Sequence, residues 1–326
     1  MIAKKILYWY DNNKRPLPWR NKCSVRKKEY NTIVSEFMLQ QTQVTTVVPY
    51  FIKFLKNVPN LKSLARINEA KLLKHWQGLG YYSRAKNLKK SANIILKEYK
   101  GKLPDNFDEL KKLPGIGDYT ASAILAIVFN KSIIPLDGNI ERVLKRILNL
   151  KTEYQTKKRN LHKLKKVFGK TIRSGDYAQA LMELGALVCK PKNPYCKKCP
   201  ITKYCLSFKN KSFEIKKKKR KLINKFYVAT LFKNNDQILL IKNNKFKFLK
   251  NLLIFPMEEI SKSNFLSKYD KKINLKISNM NMNISVDFSK TKNKIKNGLW
   301  ISKKNLNKYM LPTFTKKIFS LVENAL

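Results

Sequence analysis

Apolar residues recur at helical spacing through the first two thirds of the chain. Ile6, Leu7 and Tyr10 mark a short amphipathic helix, and residues 21–28 read as a basic loop. Val34, Phe37 and Met38 form an apolar face, which Val44, Val47, Val48 and Phe51 continue at i, i+3, i+4 and i+7. Asn68 caps a helix with Leu72, Leu73 and Trp76 inside and Gly78 past its end. Further helical faces follow at Leu88, Ala92 and Ile95, at Ala121, Ile124, Leu125 and Val128, at Val143, Leu144 and Ile147, and from Tyr177 to Val188. After residue 225 the period shortens. Residues 226–232 and 238–241 read as paired strands around Asn234-Asn235-Asp236. Residues 252–255 and 281–288 are further strands, and a helix over 315–322 closes the chain. The pattern predicts a mainly α region over 1–210, a linker over 211–225 and a small α+β domain over 226–326.

Several breaks in this pattern carry polar chemistry. Leu113-Pro114-Gly115-Ile116-Gly117 ends one helix and opens the next, and Gly115 and Gly117 let the backbone turn tightly. The first amides of the second helix can hold a phosphate. Many plain αα-turns look alike. One helix later comes Leu136-Asp137-Gly138-Asn139, where Asp137 is either a surface residue or a carboxylate facing a ligand. Glu36 stands off the apolar stripe of its helix. It is either solvated or an acid in a partly dry cleft, able to give up a proton near neutral pH. Gln40-Gln41-Thr42-Gln43 adds amide donors and acceptors beside it. Gly78-Leu79-Gly80-Tyr81-Tyr82-Ser83-Arg84-Ala85 is a helix cap with core tyrosines, or an aromatic wedge for a base stack.

Four of the five cysteines, Cys189, Cys196, Cys199 and Cys205, form C-x6-C-x2-C-x5-C. Four thiolates in one short loop can close around one metal centre, and zinc and a [4Fe-4S] cluster both satisfy that ligand set. Net charge is +49, from 70 Lys+Arg against 21 Asp+Glu, which suits a polyanionic partner. Lys, Asn and Ile are abundant everywhere, however, so an AT-rich genome would give the same excess. Residues 214–221 are a basic linker run. No apolar run approaches membrane-spanning length, and the N-terminal residues lack a signal peptide's apolar core. A soluble intracellular protein with no membrane partner is expected.

The string SEFMLQQTQV closely resembles the SExMLQQTxV signature of the MutY-type adenine DNA glycosylases, and GLGYYSRA resembles that family's GLGYYxRA. The order LPGIG, helix, aspartate resembles the helix-hairpin-helix glycosylase superfamily, whose endonuclease III and MutY branches use the same cysteine spacing for [4Fe-4S]. The resemblance is strong over about 1–210 and weaker beyond. It implies a six-helix subdomain near 29–135 and an Fe-S subdomain from 1–28 plus 136–210. It implies Glu36 as the acid that protonates adenine and Asp137 as the carboxylate facing the sugar, with Asn139 near the flipped nucleotide. Gln41 and Tyr81 would enter the duplex, Gly115 and Gly117 would grip its backbone, and Gln179 would contact adenine. Tyr119 stands where endonuclease III-like enzymes carry a Schiff-base lysine, so a monofunctional glycosylase is implied. NLLIFP and GLW resemble segments of the family's Nudix-like domain, without a Nudix hydrolase box. In Ile277-Ser278-Asn279 only Ser278 matches the loop with which the family checks for 8-oxoguanine. The implied partner is duplex DNA carrying adenine opposite 8-oxoguanine or guanine, bound by a monomer in a bacterial cytoplasm or nucleoid. Two alternatives stand: an endonuclease III-like glycosylase/lyase, and a non-catalytic Fe-S DNA-binding protein.

Overall fold

The computed structural model describes residues 2–152, 155, 158–213, 222–267, 271–277, 279–290 and 298–322. The basic run 214–221 and Ser278 lie outside the described residues. Contacts divide the chain into two units, Met1–Ile67 with Lys86–Lys217 and Asn68–Ala85 with Lys218–Leu326.

The helices before the sheet are α1 (Ile2–Asn13), α2 (Val25–Leu39), α3 (Val44–Asn57), α4 (Leu61–Arg66), α5 (Glu69–Trp76), α6 (Ser83–Glu98) and α7 (Phe107–Lys112). They continue with α8 (Asp118–Ile127), α9 (Gly138–Ile147), α10 (Lys158–Leu164), α11 (Ser174–Glu183) and α12 (Leu206–Lys209). α2 starts inside the stretch expected to be a loop. The Ser24 side chain accepts from the Lys27 amide and caps it there. α2 is packed against α3, α8 and the Pro18–Arg20 turn. It is therefore buried on all sides from Glu29 to Met38. Of the two readings of Glu36, solvated or held in a partly dry cleft, its burial agrees with the second. In the first unit, α1 packs with the chain beyond Leu136. Ile6, Leu7 and Tyr10 share a core with Ile140, Leu144, Leu161, Phe168 and Leu181. α11 then widens into a π-turn at Leu184–Val188. There Gly185 lies so close to α9 that an added Cβ would stand 2.6 Å from the Cβ of Asn139.

The second unit holds a mixed seven-stranded sheet. Its strands are β1 (Ile223–Asn234), β2 (Gln237–Lys242), β3 (Leu253–Ile254), β4 (Met257–Glu259), β5 (Lys272–Ile277), β6 (Met280–Lys290) and β7 (Leu299–Ser302). The order is β3-β2-β1-β6-β5, with β4 on β1 and β7 on β2. β1 and β6 run parallel along their length, from Ile223 opposite Met280 to Lys233 opposite Lys290. Both outrun the strands expected from alternation, because their ends pair through the backbone whatever the side chain. Helices α13 (Lys262–Ser267) and α14 (Thr313–Val322) complete the unit, and Phe314 and Ile318 of α14 join the apolar face of Tyr227, Leu231, Ile238, Leu240 and Ile284. Helix α5 and the loop after it belong to this unit: the Gln77 amide donates to the Leu311 carbonyl. Among the described residues no helix is long and apolar enough to cross a membrane.

Candidate active site

A cavity of about 750 Å³ opens in the first unit. α2 lines it with Thr32, Ser35 and Glu36, and the turn after α2 adds Gln40 to Gln43. α8 contributes Tyr119, the start of α9 contributes Asp137 and Asn139, and α11 contributes Gln179 and Glu183. Trp19, seated edge-on against Phe51 with ring centroids 5.3 Å apart, forms part of the wall. Glu36, Gln41, Tyr119, Asp137, Asn139 and Gln179 thus meet at one cavity, although the sequence spreads them over 144 positions (179 − 36 + 1).

The two carboxylates have opposite surroundings. Glu36 is 5% exposed, and its Oε2 has no hydrogen-bond partner among the described residues. Burial raises its carboxyl to about 7, helped by the nearby Asp137 charge and opposed by hydrogen bonding to Tyr119 and by Arg20. Asp137 is the N-cap of α9. Its Oδ1 accepts from the amides of Asn139 (3.0 Å) and Ile140 (2.7 Å), and its Oδ2 accepts from the Asn139 side chain (2.9 Å). Burial raises Asp137 too, but these three donors and Arg142 favour its charged form. Glu36 lacks such backbone donors. Burial raises both carboxyls, and the donors at Asp137 give its charged form support that the Glu36 Oε2 does not receive. Tyr119 is half-buried, and its hydroxyl also reaches the sulfur of Met182 at 3.8 Å.

Sequence reasoning missed the charged wall opposite. Glu183 accepts from Arg15 at 2.8 Å through both carboxylate oxygens, and from Arg20 at 2.9 Å. Burial alone would raise Glu183, but the two guanidinium groups outweigh it and hold the carboxyl low. Arg20 Nε also donates to Gln179 Oε1 at 2.8 Å, which fixes the direction of that amide. The signal available was the pair of arginines flanking Pro-Leu-Pro-Trp. Nothing in one sequence links them to position 183.

The hairpin lies at the edge of this site. Gly115 has φ +84, and an added Cβ would meet Phe37 at 2.8 Å and Asn87 at 3.0 Å, so glycine is required there on both counts. Gly117 is different from what was expected. Its φ of −98° suits any residue, and open space lies above it. Its missing side chain leaves the N-terminus of α8 uncovered. Gln40 ties the hairpin to α2 by donating to the Gly115 carbonyl at 3.1 Å. Gln41 is exposed and left-handed at φ +58, an uncommon conformation for a non-glycine residue.

The four cysteines are free thiols lining one small cavity with Arg146, Phe208 and Phe213. Burial raises Cys199 to about 11 and also lifts Cys196 and Cys205, so a metal bound by these sulfurs would displace their protons. Among the described residues no three Cys, His, Asp or Glu groups converge tightly enough for a single metal ion. Two arginines of α9 fasten this loop. Arg146 donates to the carbonyls of Lys190 (2.6 Å) and Pro191 (2.8 Å) and to Cys189 Sγ (3.4 Å). Arg142 donates to the Cys189 and Gly185 carbonyls and, at the other end, to Asn139 Oδ1 at 2.8 Å. Arg146 is 3% exposed. Arg146→Met removes two hydrogen bonds from a buried guanidinium to the loop carbonyls and should cost about 1–3 kcal/mol. Thermal melting of the variant, with iron and zinc content measured in parallel, checks both the stability loss and a loosened loop.

Tyr81 is not at this cavity. It lies in the second unit, 49% exposed and left-handed at φ +46, with the Arg84 guanidinium 5.6 Å from its ring centre. A separate cavity of about 670 Å³ places it with Lys247, Leu249, Lys276, Ile277 and Met280. Ile277 and Met280 are partners across the β5–β6 hairpin.

Residues 34–170 match the model of the HhH-GPD superfamily base excision DNA repair proteins. A protein described as adenine DNA glycosylase from Buchnera aphidicola of Schizaphis graminum is 35% identical, over 98% of this chain and 98% of its own. The chain belongs to the adenine DNA glycosylase family. A human protein of the same description is 39% identical over 61% of this chain and 38% of its own. Among solved structures, a thermostable thymine-DNA glycosylase aligns with a TM-score of 0.57 and 26% identity, over 64% of this chain and 95% of that one. The adenine DNA glycosylase match thus extends through the sheet unit, whereas the thymine-DNA glycosylase match covers 95% of a shorter chain.

Proposed function

We propose that the chain hydrolyses the N-glycosidic bond of adenine opposite 8-oxoguanine or guanine in duplex DNA. One observation carries the reading: a buried glutamate, whose Oε2 has no hydrogen-bond partner among the described residues, shares a cavity with an aspartate held at a helix N-cap. Adenine leaves the stack and enters beside Glu36. Glu36 protonates the leaving base. Positive charge then develops on the sugar, and Asp137, held by three donors, stabilises it or traps it as an adduct. Glu36, now a carboxylate, accepts a proton from the attacking water. Tyr119 tunes Glu36, Asn139 holds Asp137, and Gln179 is aimed at the base by Arg20. With tyrosine at 119 there is no amine for a Schiff base, which supports a monofunctional enzyme.

The test is single-turnover cleavage on A:8-oxoguanine, A:guanine and A:thymine duplexes, read with and without alkali. Adenine release that needs alkali to break the strand, fastest on the first two duplexes, supports the reading. Release from the thymine duplex at an equal rate would overturn it.

Gln41 and Tyr81 are proposed to enter the duplex. Both are partly exposed polar or aromatic side chains kept in left-handed backbone, which a packing role alone would not require. Stacking of one base on an aromatic ring contributes about 1–3 kcal/mol. Tyr81→Gly also relieves the backbone, so lesion-duplex affinity should fall roughly tenfold or more with no loss of melting temperature. Fluorescence anisotropy on a non-cleavable adenine analogue duplex measures it.

Cys189, Cys196, Cys199 and Cys205 would hold a [4Fe-4S] cluster, as the family's cysteine spacing implies, and its contribution would be to order the loop. The same reading groups 1–28 with 136–210 around that loop, supported by the shared core of α1 with α9 to α11, and takes 29–135 as the six-helix part, out of which the contacts draw residues 68–85 into the sheet unit. It takes the sheet unit as Nudix-like, and places a monomer in the bacterial cytoplasm or nucleoid.

A further inference from the structure

The first unit has a second sizeable cavity, of about 420 Å³, which shares no lining residue with the candidate active site. It lies between the loop Ser132–Ile134 and the segment running from Lys165 to the start of α11. Lys165, Lys166 and Lys170 line it together with the hydroxyl residues Ser132, Thr171 and Ser174. The turn at Gly169, with φ +74, brings Lys166 and Lys170 to the same space. No carboxylate lines it among the described residues. Lys165 is half-buried, and burial lowers its ammonium pKa with no acidic neighbour opposing it. Its Nζ reaches one protein acceptor among the described residues, the Ile134 carbonyl, at a long 3.4 Å. An ammonium has three donors, and burying it without an anion is costly.

We infer that this cavity binds a phosphate group. Three lysines without a carboxylate supply the charge that a phosphate dianion or a phosphodiester neutralises. Lysine serves as a point charge there, with no need for the planar match that arginine provides. Ser132, which also lines the cavity, adds a hydroxyl that can donate to a phosphate oxygen. The contact of Lys165 with Ile134, just ahead of Asp137 in the chain, places the site behind the segment that carries the carboxylate. The phosphate comes either from a free nucleotide or from the DNA backbone.

Full-length protein and the Lys165→Gln/Lys170→Gln double variant separate these sources. In one arm, inorganic phosphate and adenosine 5′-monophosphate are titrated at constant ionic strength, with melting temperature as the readout. In the other, affinity for undamaged duplex is measured against salt. If free phosphate is the ligand, both anions raise the wild-type melting temperature and the double variant loses that response. If the DNA backbone is the ligand, the anions do nothing and the variant's log–log salt slope falls by about 2, one per lysine removed. Ser132→Glu places a carboxylate in the cavity, so it should raise stability in buffer alone and mimic the double variant in both arms. Equal responses of wild type and both variants in both arms would overturn the proposal.

Discussion

Glu36→Gln should lower single-turnover adenine release by about 10²–10⁴-fold while leaving duplex affinity within about twofold. Glutamine keeps the shape and can still hydrogen-bond, but it has no proton to give. The same substitution should make the free protein more stable at neutral pH. The sign follows from the raised carboxyl. Below pH 4.5 the group is protonated in both folded and unfolded chains, and it affects nothing. As pH rises, the unfolded chain ionises first, so stability falls until the folded group ionises near pH 7 and then levels off. The full penalty above pH 7 is about 3 kcal/mol, and Glu36→Gln should recover part of it there and none below pH 4. Activity follows the same group: kcat/KM should fall as pH rises through about 7, and that limb should vanish in the variant. A variant with near-normal release at pH 7 would remove Glu36 from the mechanism.

Asp137 offers a sharper separation, because its side chain does two jobs. As the N-cap of α9 it supports the fold, and as a half-buried carboxyl it lines the cavity. Asp137→Asn keeps an oxygen for the Asn139 and Ile140 amides and removes the charge. Asp137→Ala removes both. The asparagine variant should therefore melt close to the wild type, and the alanine variant should lose about 1 kcal/mol. Both should lose at least about 10²-fold in base release. If the asparagine variant retained activity, the carboxylate would be only a cap. Paired melting curves and single-turnover rates decide this.

Much of the site was legible, but by different kinds of signal. Asp137, followed by a glycine and a helix, is written locally, since capping depends on neighbours in sequence. The four cysteines were legible from spacing alone. Glu36 was legible only through its motif. Its position off the apolar stripe pointed to solvent, and its burial comes from helices on every side of α2, which a single helix's periodicity cannot express. The same limit hid Arg15 and Glu183, because an ion pair between positions 168 apart leaves no local trace. Gly117 misled in the other direction: its backbone is ordinary, and the turn depends on Gly115. The sheet unit was legible in its strands but not in its order, since the long parallel pairing of β1 with β6 joins stretches separated by four other strands.

The Arg15–Glu183–Arg20–Gln179 network has a consequence for synthesis of the protein. One wall of the candidate active-site cavity is made before residue 21 and is anchored to residues beyond 178. A nascent chain on the ribosome that has reached α10 already carries the acid, the hairpin and the capped carboxylate. It has no Glu183 to order the arginines and no Gln179 to face a base. That wall therefore closes only when α11 is complete, and a chain cut short before residue 179 lacks it however much of the earlier sequence has folded.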